Sequence, residues 1–99
     1  MSNVIELVKF KLKAGVTTAD FLAASDNFQK AFLQKCKGYI SRKLSLNDDI
    51  WLDIVVWETM DDAQMAMTAA YESPLFADFG SLLNETDCDA GHYIVERNY

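Results

Sequence analysis

The stretch Ile50 to Thr59, IWLDIVVWET, constrains the fold more than any other part of the chain. Its run of Ile, Val, Leu and Trp reads as a β-strand. Side chains alternate between the two faces of a strand. Ile50, Leu52, Ile54 and Val56 therefore share one face, and Trp51, Asp53, Val55 and Trp57 share the other. Both faces are apolar, and one of them carries an acid. A small domain covers one face of a sheet with its own helices, so this strand asks what covers the second face and what Asp53 does among tryptophans.

The flanking sequence supplies the rest of a sheet. Val4 to Leu12 is a β-rich run that ends in turn chemistry at Gly15. Thr17 or Thr18 caps a helix with Asp20 in its first turn. That helix is expected to run to about Cys36 and to stop at Gly38, with an apolar stripe of Phe21, Phe28 and Phe32. Tyr39 to Leu46 alternates as a strand, Asn47 to Asp49 turns the chain, and the two-faced strand continues to Glu58. Thr59 caps a second helix whose inner stripe, Met60, Ala63, Met67 and Ala70 with Ala66 nearby, is small and soft. Ser73 and Pro74 start a further short helix, and Gly91 to Arg97 is the last strand.

The order β-α-β-β-α-β is the split βαβ pattern of ferredoxin-like folds. The expected class is α+β, a four-stranded antiparallel sheet with its helices on one face, in one domain spanning residues 1–99. The right-handed crossover rule is taken to make the first and third strands parallel neighbours at the sheet centre.

Charge and cysteine usage narrow the partners. A net charge of −6 argues against nucleic acid, whose phosphates need lysine and arginine, and against anionic membrane surfaces. No apolar run approaches the ~20 residues of a membrane span, and no basic start leads into an apolar segment. Cys36 and Cys88 fit no CxxC or zinc spacing and are expected as free thiols of a cytoplasmic protein. Asp87, Asp89 and His92 lie close in sequence, but calcium-loop spacing is absent, and a polar turn into a strand is the preferred reading; no metal is expected.

Whichever face of Ile50 to Glu58 meets the helices, the other shows either Ile-Leu-Ile-Val or Trp-Asp-Val-Trp. The first strand is similar, with Val4, Val8, Phe10 and Leu12 on one side and Ile5 and Leu7 on the other. Burying four such side chains is worth about 6–10 kcal/mol, and leaving them exposed would create an interface-sized apolar patch. A homodimer through the sheet face is therefore expected.

Four blocks carry a resemblance over nearly the whole chain: VKFKLKAG (Val8 to Gly15), the glycine-led KGYISRKL (Lys37 to Leu44), VWET (Val56 to Thr59) and ESPLFADF (Glu72 to Phe79). In these the chain resembles the dimeric α/β-barrel superfamily, and more closely the antibiotic-biosynthesis-monooxygenase-like (ABM) domains. The resemblance implies either a cofactor-independent monooxygenase acting on a phenol- or quinone-type aromatic, or a non-enzymatic dimeric module that binds a small apolar ligand or stabilises an assembly. Haem-degrading relatives use an Asn, a Trp and a His where this chain has Val8, Ala70 and Gly80, so that activity is not expected. Quinone-forming relatives carry an Asn and a Trp four residues apart on the third strand, the spacing of Asp53 and Trp57. Here an acid replaces the amide; an ionised carboxylate cannot donate a hydrogen bond to a phenolate, and Asp53 would serve instead as a base.

The candidate catalytic pair is thus Asp53 and His92, histidine being suited to proton transfer. Trp57, Tyr71, Phe28 and Phe32 are the candidate substrate-binding residues, around a pocket of a few hundred Å³ between sheet and second helix. A structural alternative stands beside each. Asp53 can pair with Arg42 or Lys43 on the neighbouring strand, the tryptophans can be core or interface packing, and His92 can be an ordinary hydrogen-bonded or exposed residue.

Overall fold

A computed structural model of the chain describes residues 2–99. Four strands, β1 (Val4–Phe10), β2 (Tyr39–Asn47), β3 (Ile50–Trp57) and β4 (Asp89–Ile94), form one antiparallel sheet in the order β2-β3-β1-β4. Three helices, α1 (Thr18–Ala31), α2 (Met60–Tyr71) and α3 (Pro74–Gly80), make the crossovers. This is the ferredoxin-like α+β architecture that the element order predicts.

The central pair corrects one expectation. β1 and β3 are neighbours, but they run antiparallel, with Val4 opposite Trp57 and Phe10 opposite Trp51. The crossover through α1 relates β1 to β2, which run the same way one strand apart. The tight turn at Asp48, which takes a positive φ of 56°, then reverses the chain. β3 slots between them, antiparallel to both.

The register settles which face of β3 is inside. Trp51, Asp53, Val55 and Trp57 are buried under the helices, whereas Ile50, Leu52, Ile54 and Val56 are only half-buried on the opposite face. On β1 the inward set is Val4, Glu6, Val8 and Phe10, and Ile5 and Leu7 look outward with β3's aliphatics. Aromatic contacts hold the inner layer together. Phe21 of α1 meets Trp51 edge-on at 4.8 Å and Phe10 at 5.6 Å, and Phe79 of α3 lies 5.3 Å from both Phe21 and Phe28.

Element ends differ from the sequence reading where tertiary partners intervene. Helix α1 stops at Ala31, not Cys36, because Phe32 leaves helical angles (φ −130°, ψ −67°). A single 3₁₀ turn, Leu33–Lys35, then buries Leu33 while Phe32 stacks on Phe28 at 5.3 Å. β1 ends at Phe10, and Leu12 keeps only an isolated bridge to Leu83. β4 begins at Asp89 and ends at Ile94, which pairs with Val4 at the start of β1; one further bond, from the Val95 N–H to the Asn3 carbonyl at 2.9 Å, follows it. Thr17, Thr59 and Ser73 cap the three helices as their sequence contexts suggest.

Gly38 is not a helix cap; it is the hinge into β2. Its carbonyl accepts the Glu58 N–H at 2.8 Å, and its φ is +82°. A Cβ there would run into the Asp62 side chain, with Cβ and Cγ both at 2.6 Å. The glycine-led second strand and the Trp-Glu-Thr junction are therefore one packed unit. Gly38→Ala is expected to lower stability by about 2 kcal/mol or more, from left-handed backbone strain plus the clash. Denaturant unfolding checks this, and a loss under about 0.5 kcal/mol would show that the junction relaxes freely.

Candidate functional site

The alternation of β1, β3 and β4 delivers the polar residues of the inner face to one place. Glu6 stands directly opposite His92 across the β1–β4 ladder. Asp53 lies opposite Val8 across β1–β3, which makes it a diagonal neighbour of Glu6 on the same face. Trp57, two pairs beyond the Glu6–Val55 pair on the same ladder, donates its indole N–H to Glu6 Oε1 at 3.0 Å.

Above these residues α2 presents its alanine face, and the small side chains leave space. A cavity of about 130 Å³ lies between sheet and helices. Glu6, Val8, Asp53, Val55, Trp57, Ala90 and His92 line its sheet side, and Ala66, Met67 and Ala70 with Phe28, Phe76 and Phe79 line its helix side. It is smaller than the few hundred Å³ expected from the sequence, because the phenylalanines of α1 and α3 close over it. Its volume is near that of the ~150 Å³ apolar cavity that accepts benzene in an engineered core. One ring is the natural size of an occupant.

Asp53 occupies both positions foreseen for it. Its carboxylate lines the cavity, and both of its oxygens are held by Arg42, Nε to Oδ1 and Nη2 to Oδ2, each at 2.9 Å. This is the bidentate fork geometry of a strong charge-assisted pair. The Arg42 side chain is 5% exposed and that of Asp53 10%. Arg42 Nη1 also reaches Gln29 Oε1 at 3.4 Å and the Ser25 carbonyl at 3.5 Å, and the guanidinium lies 5.4 Å from the centre of the Phe79 ring. Gln29 in turn donates to the Tyr39 hydroxyl at 2.8 Å. The acid is thus wired to β2, α1 and α3.

The other candidates divide. His92, Trp57 and Phe28 line the cavity. Tyr71 sits at its rim, 71% exposed, edge-on to Phe76 at 5.4 Å. Phe32 stands behind Phe28, outside the cavity wall.

Glu6 is the residue that the sequence reading misses. Its signal is present in the chain: Glu6 interrupts the inward series Val4, Val8, Phe10 as Asp53 interrupts the tryptophans. Burial, strengthened by the nearby Asp53 charge, pushes the Glu6 carboxyl above the ordinary carboxylate range, against the pull of the Trp57 hydrogen bond and of His92. His92 Nε2 lies 3.6 Å from Glu6 Oε1, too long for a hydrogen bond, and is buried with no partner among the described residues. Cys88 also lines the wall, but burial and Asp89 push its thiol up and keep it a weak nucleophile. Among the described residues no group of His, Cys, Asp and Glu has the arrangement of a metal site, and no helix is long and apolar enough to cross a membrane.

The Arg42–Asp53 pair can be tested directly. Arg42→Ala, which strands a buried carboxylate, is expected to cost about 3–5 kcal/mol, whereas the double change Arg42→Met with Asp53→Leu recovers most of that loss. Unfolding of both variants measures it. Equal losses in the two would show that the pair contributes through more than mutual neutralisation.

No protein-family model matches the chain, and no curated protein matches it in sequence. Solved structures do match in shape. SnoaB, a cofactor-independent oxygenase from Streptomyces nogalater, is 17% identical with a TM-score of 0.76, covering 99% of this chain and 97% of its own. A proposed antibiotic biosynthesis monooxygenase from Bordetella bronchiseptica is 18% identical with a TM-score of 0.78, covering 94% and 96%. The ActVA-Orf6 monooxygenase of Streptomyces coelicolor, solved in complex with nanaomycin D, is 13% identical with a TM-score of 0.74, covering 99% and 91%. Over nearly its whole length, this chain shares the ferredoxin-like fold of these three structures.

Proposed function

We propose that the protein is a cofactor-independent, monooxygenase-like enzyme that acts on a small phenol- or quinone-type aromatic held in the sheet–helix cavity. The observation that carries this reading is the cavity itself. It is an apolar, ring-sized space whose few polar groups, Glu6, Asp53, His92 and the Trp57 indole, converge from three adjacent strands. The shared fold with cofactor-independent oxygenases raises the prior for this chemistry and assigns no residue its role. Asp53, with both oxygens committed to Arg42, fits a positioning and electrostatic role better than that of a free base. That same commitment favours a second reading, a module that binds the aromatic without turning it over.

Oxygen uptake with single-ring hydroquinones separates the two. The enzyme reading expects uptake by the unaltered protein and its loss in Ala70→Phe, which fills the cavity from α2. Ligand-induced thermal stabilisation without uptake favours the binding module. Neither uptake nor stabilisation would overturn both.

The dimer belongs to the same proposal. Ile5 and Leu7 of β1 and Leu52, Ile54 and Val56 of β3 form one aliphatic surface on the helix-free face. A second copy covers it most simply, sheet on sheet, in the cytoplasm that two unpaired cysteines suit. Light scattering at micromolar concentration is expected to give twice the chain mass of 11.2 kDa, and Ile54→Glu to return it to one. A monomeric unaltered protein would overturn the dimer.

A further inference from the structure

The cavity holds two carboxylates, and they are not equivalent. Asp53 is neutralised by Arg42 at 2.9 Å on both oxygens. Glu6 has no such partner. Its Oε1 accepts the Trp57 indole, and its Oε2 makes no hydrogen bond among the described residues. Directly across the ladder, His92 Nε2 is buried and unpartnered, 3.6 Å from Glu6 Oε1. Both residues line the cavity, and a gap of that length between an acceptor and a ring nitrogen is one that a single ligand hydroxyl can bridge.

We propose that Glu6 is the general base of this site and His92 its oxyanion partner, and that the ligand they serve is a neutral, single-ring phenol or enol. This rests on the aromatic-binding reading above and names the residues and the substrate class. In the step, the ligand O–H bond breaks and its proton passes to the Glu6 carboxylate, while the electron pair stays on the ligand oxygen. His92, with its proton on Nε2, donates a hydrogen bond to the resulting oxyanion. The Trp57 indole fixes the Glu6 carboxylate in place, so Trp57 is a positioning residue.

The charge pattern selects the substrate class. Among the described residues no lysine or arginine lines the cavity, and the buried Arg42 guanidinium nearby is committed to Asp53. A ligand that arrives as a carboxylate or phosphate would meet Glu6 with nothing to balance it, whereas a neutral hydroxyl compound enters without that cost. The groups that face Glu6 from packed elements are His92 on β4, Asp53 and Trp57 on β3, and the apolar wall of α2 with Tyr71 at its rim. Burial is the largest influence on Glu6 and keeps its carboxyl above the ordinary range, which suits a base for a weakly acidic hydroxyl.

The probe is 4-nitrophenol, whose phenolate is coloured and whose phenol is not. It is added to the full chain at a pH where the free compound is mostly neutral. The unaltered protein is expected to raise the phenolate absorbance saturably. Glu6→Gln, which keeps an acceptor for the indole, is expected to bind the probe, seen by tryptophan fluorescence, with the absorbance rise lost. Binding by the unaltered protein without ionisation, or ionisation by Glu6→Gln equal to it, overturns the base assignment and leaves the aromatic-binding reading standing. Absence of binding overturns both.

A measurement on the unaltered protein guards against a variant that fails to fold. The Trp57 indole N–H resonance is expected to follow a titration above the ordinary carboxylate range and to shift when the probe binds; a resonance that follows neither overturns the proposal. The sign of the stability effect follows from the same shift. With its folded pKa raised, Glu6 makes the folded chain bind more protons than the unfolded chain between the two values. Its contribution therefore falls as pH rises through that window, and Glu6→Gln removes this fall.

Discussion

The buried Arg42–Asp53 pair is the contact on which the rest of the inner layer depends. Asp53 is the only acid on β3's helix-facing side, and it lies within a wall of Trp51, Val55 and Trp57. Its charge is tolerable there only because a planar guanidinium meets both oxygens. Holding Arg42 in that position fixes more than one salt bridge. Its remaining nitrogen reaches α1 at Ser25 and Gln29, and its flat face covers Phe79 of α3. The pair therefore sets how far the first and third helices stand from the sheet.

That spacing is what leaves a cavity on the other side of Asp53. At the Phe10–Trp51 end of the sheet, aromatic rings from β1, β3, α1 and α3 fill the layer. Over Glu6 and Val8 of β1 and Ala90 and His92 of β4, α2 brings alanines instead, and the same separation is no longer filled. The polar groups that open into the space come from sheet register alone, Glu6 opposite His92 and diagonal to Asp53. Strand pairing thus places a carboxyl and an imidazole side by side at a ring-sized void. In this fold the chemistry of the site depends on which inward strand positions carry polar side chains.

Much of the scaffold is legible in the amino-acid sequence. Capping residues at Thr17, Thr59 and Ser73, the turn at Asn47 to Asp49, and the alternation of β1 and β3 give element types and order, because these signals act over a few residues. Ends are less legible. Phe32 breaks α1 to satisfy packing on Phe28, and the span of β4 is set by its ladder with β1, from Asp89 opposite Lys9 to Ile94 opposite Val4. The direction of β3 against β1 escapes the sequence for a different reason. The crossover rule governs the two strands that a helix connects, here β1 and β2, and only the ladder shows that β3 lies between them.

The sequence by itself determined that β3 has two apolar faces, that one of them carries an acid, and that α2 offers a small-residue face. These are period-two and helical-period patterns, written in single elements and readable without neighbours. Only the tertiary structure decided that the tryptophan face points inward, that Arg42 rather than Lys43 meets Asp53, and that Glu6 and His92 face each other. Each of those is a relation between strands far apart in the chain. Pairing register fixes such relations, and a shift of one residue would turn every one of these side chains to the opposite face.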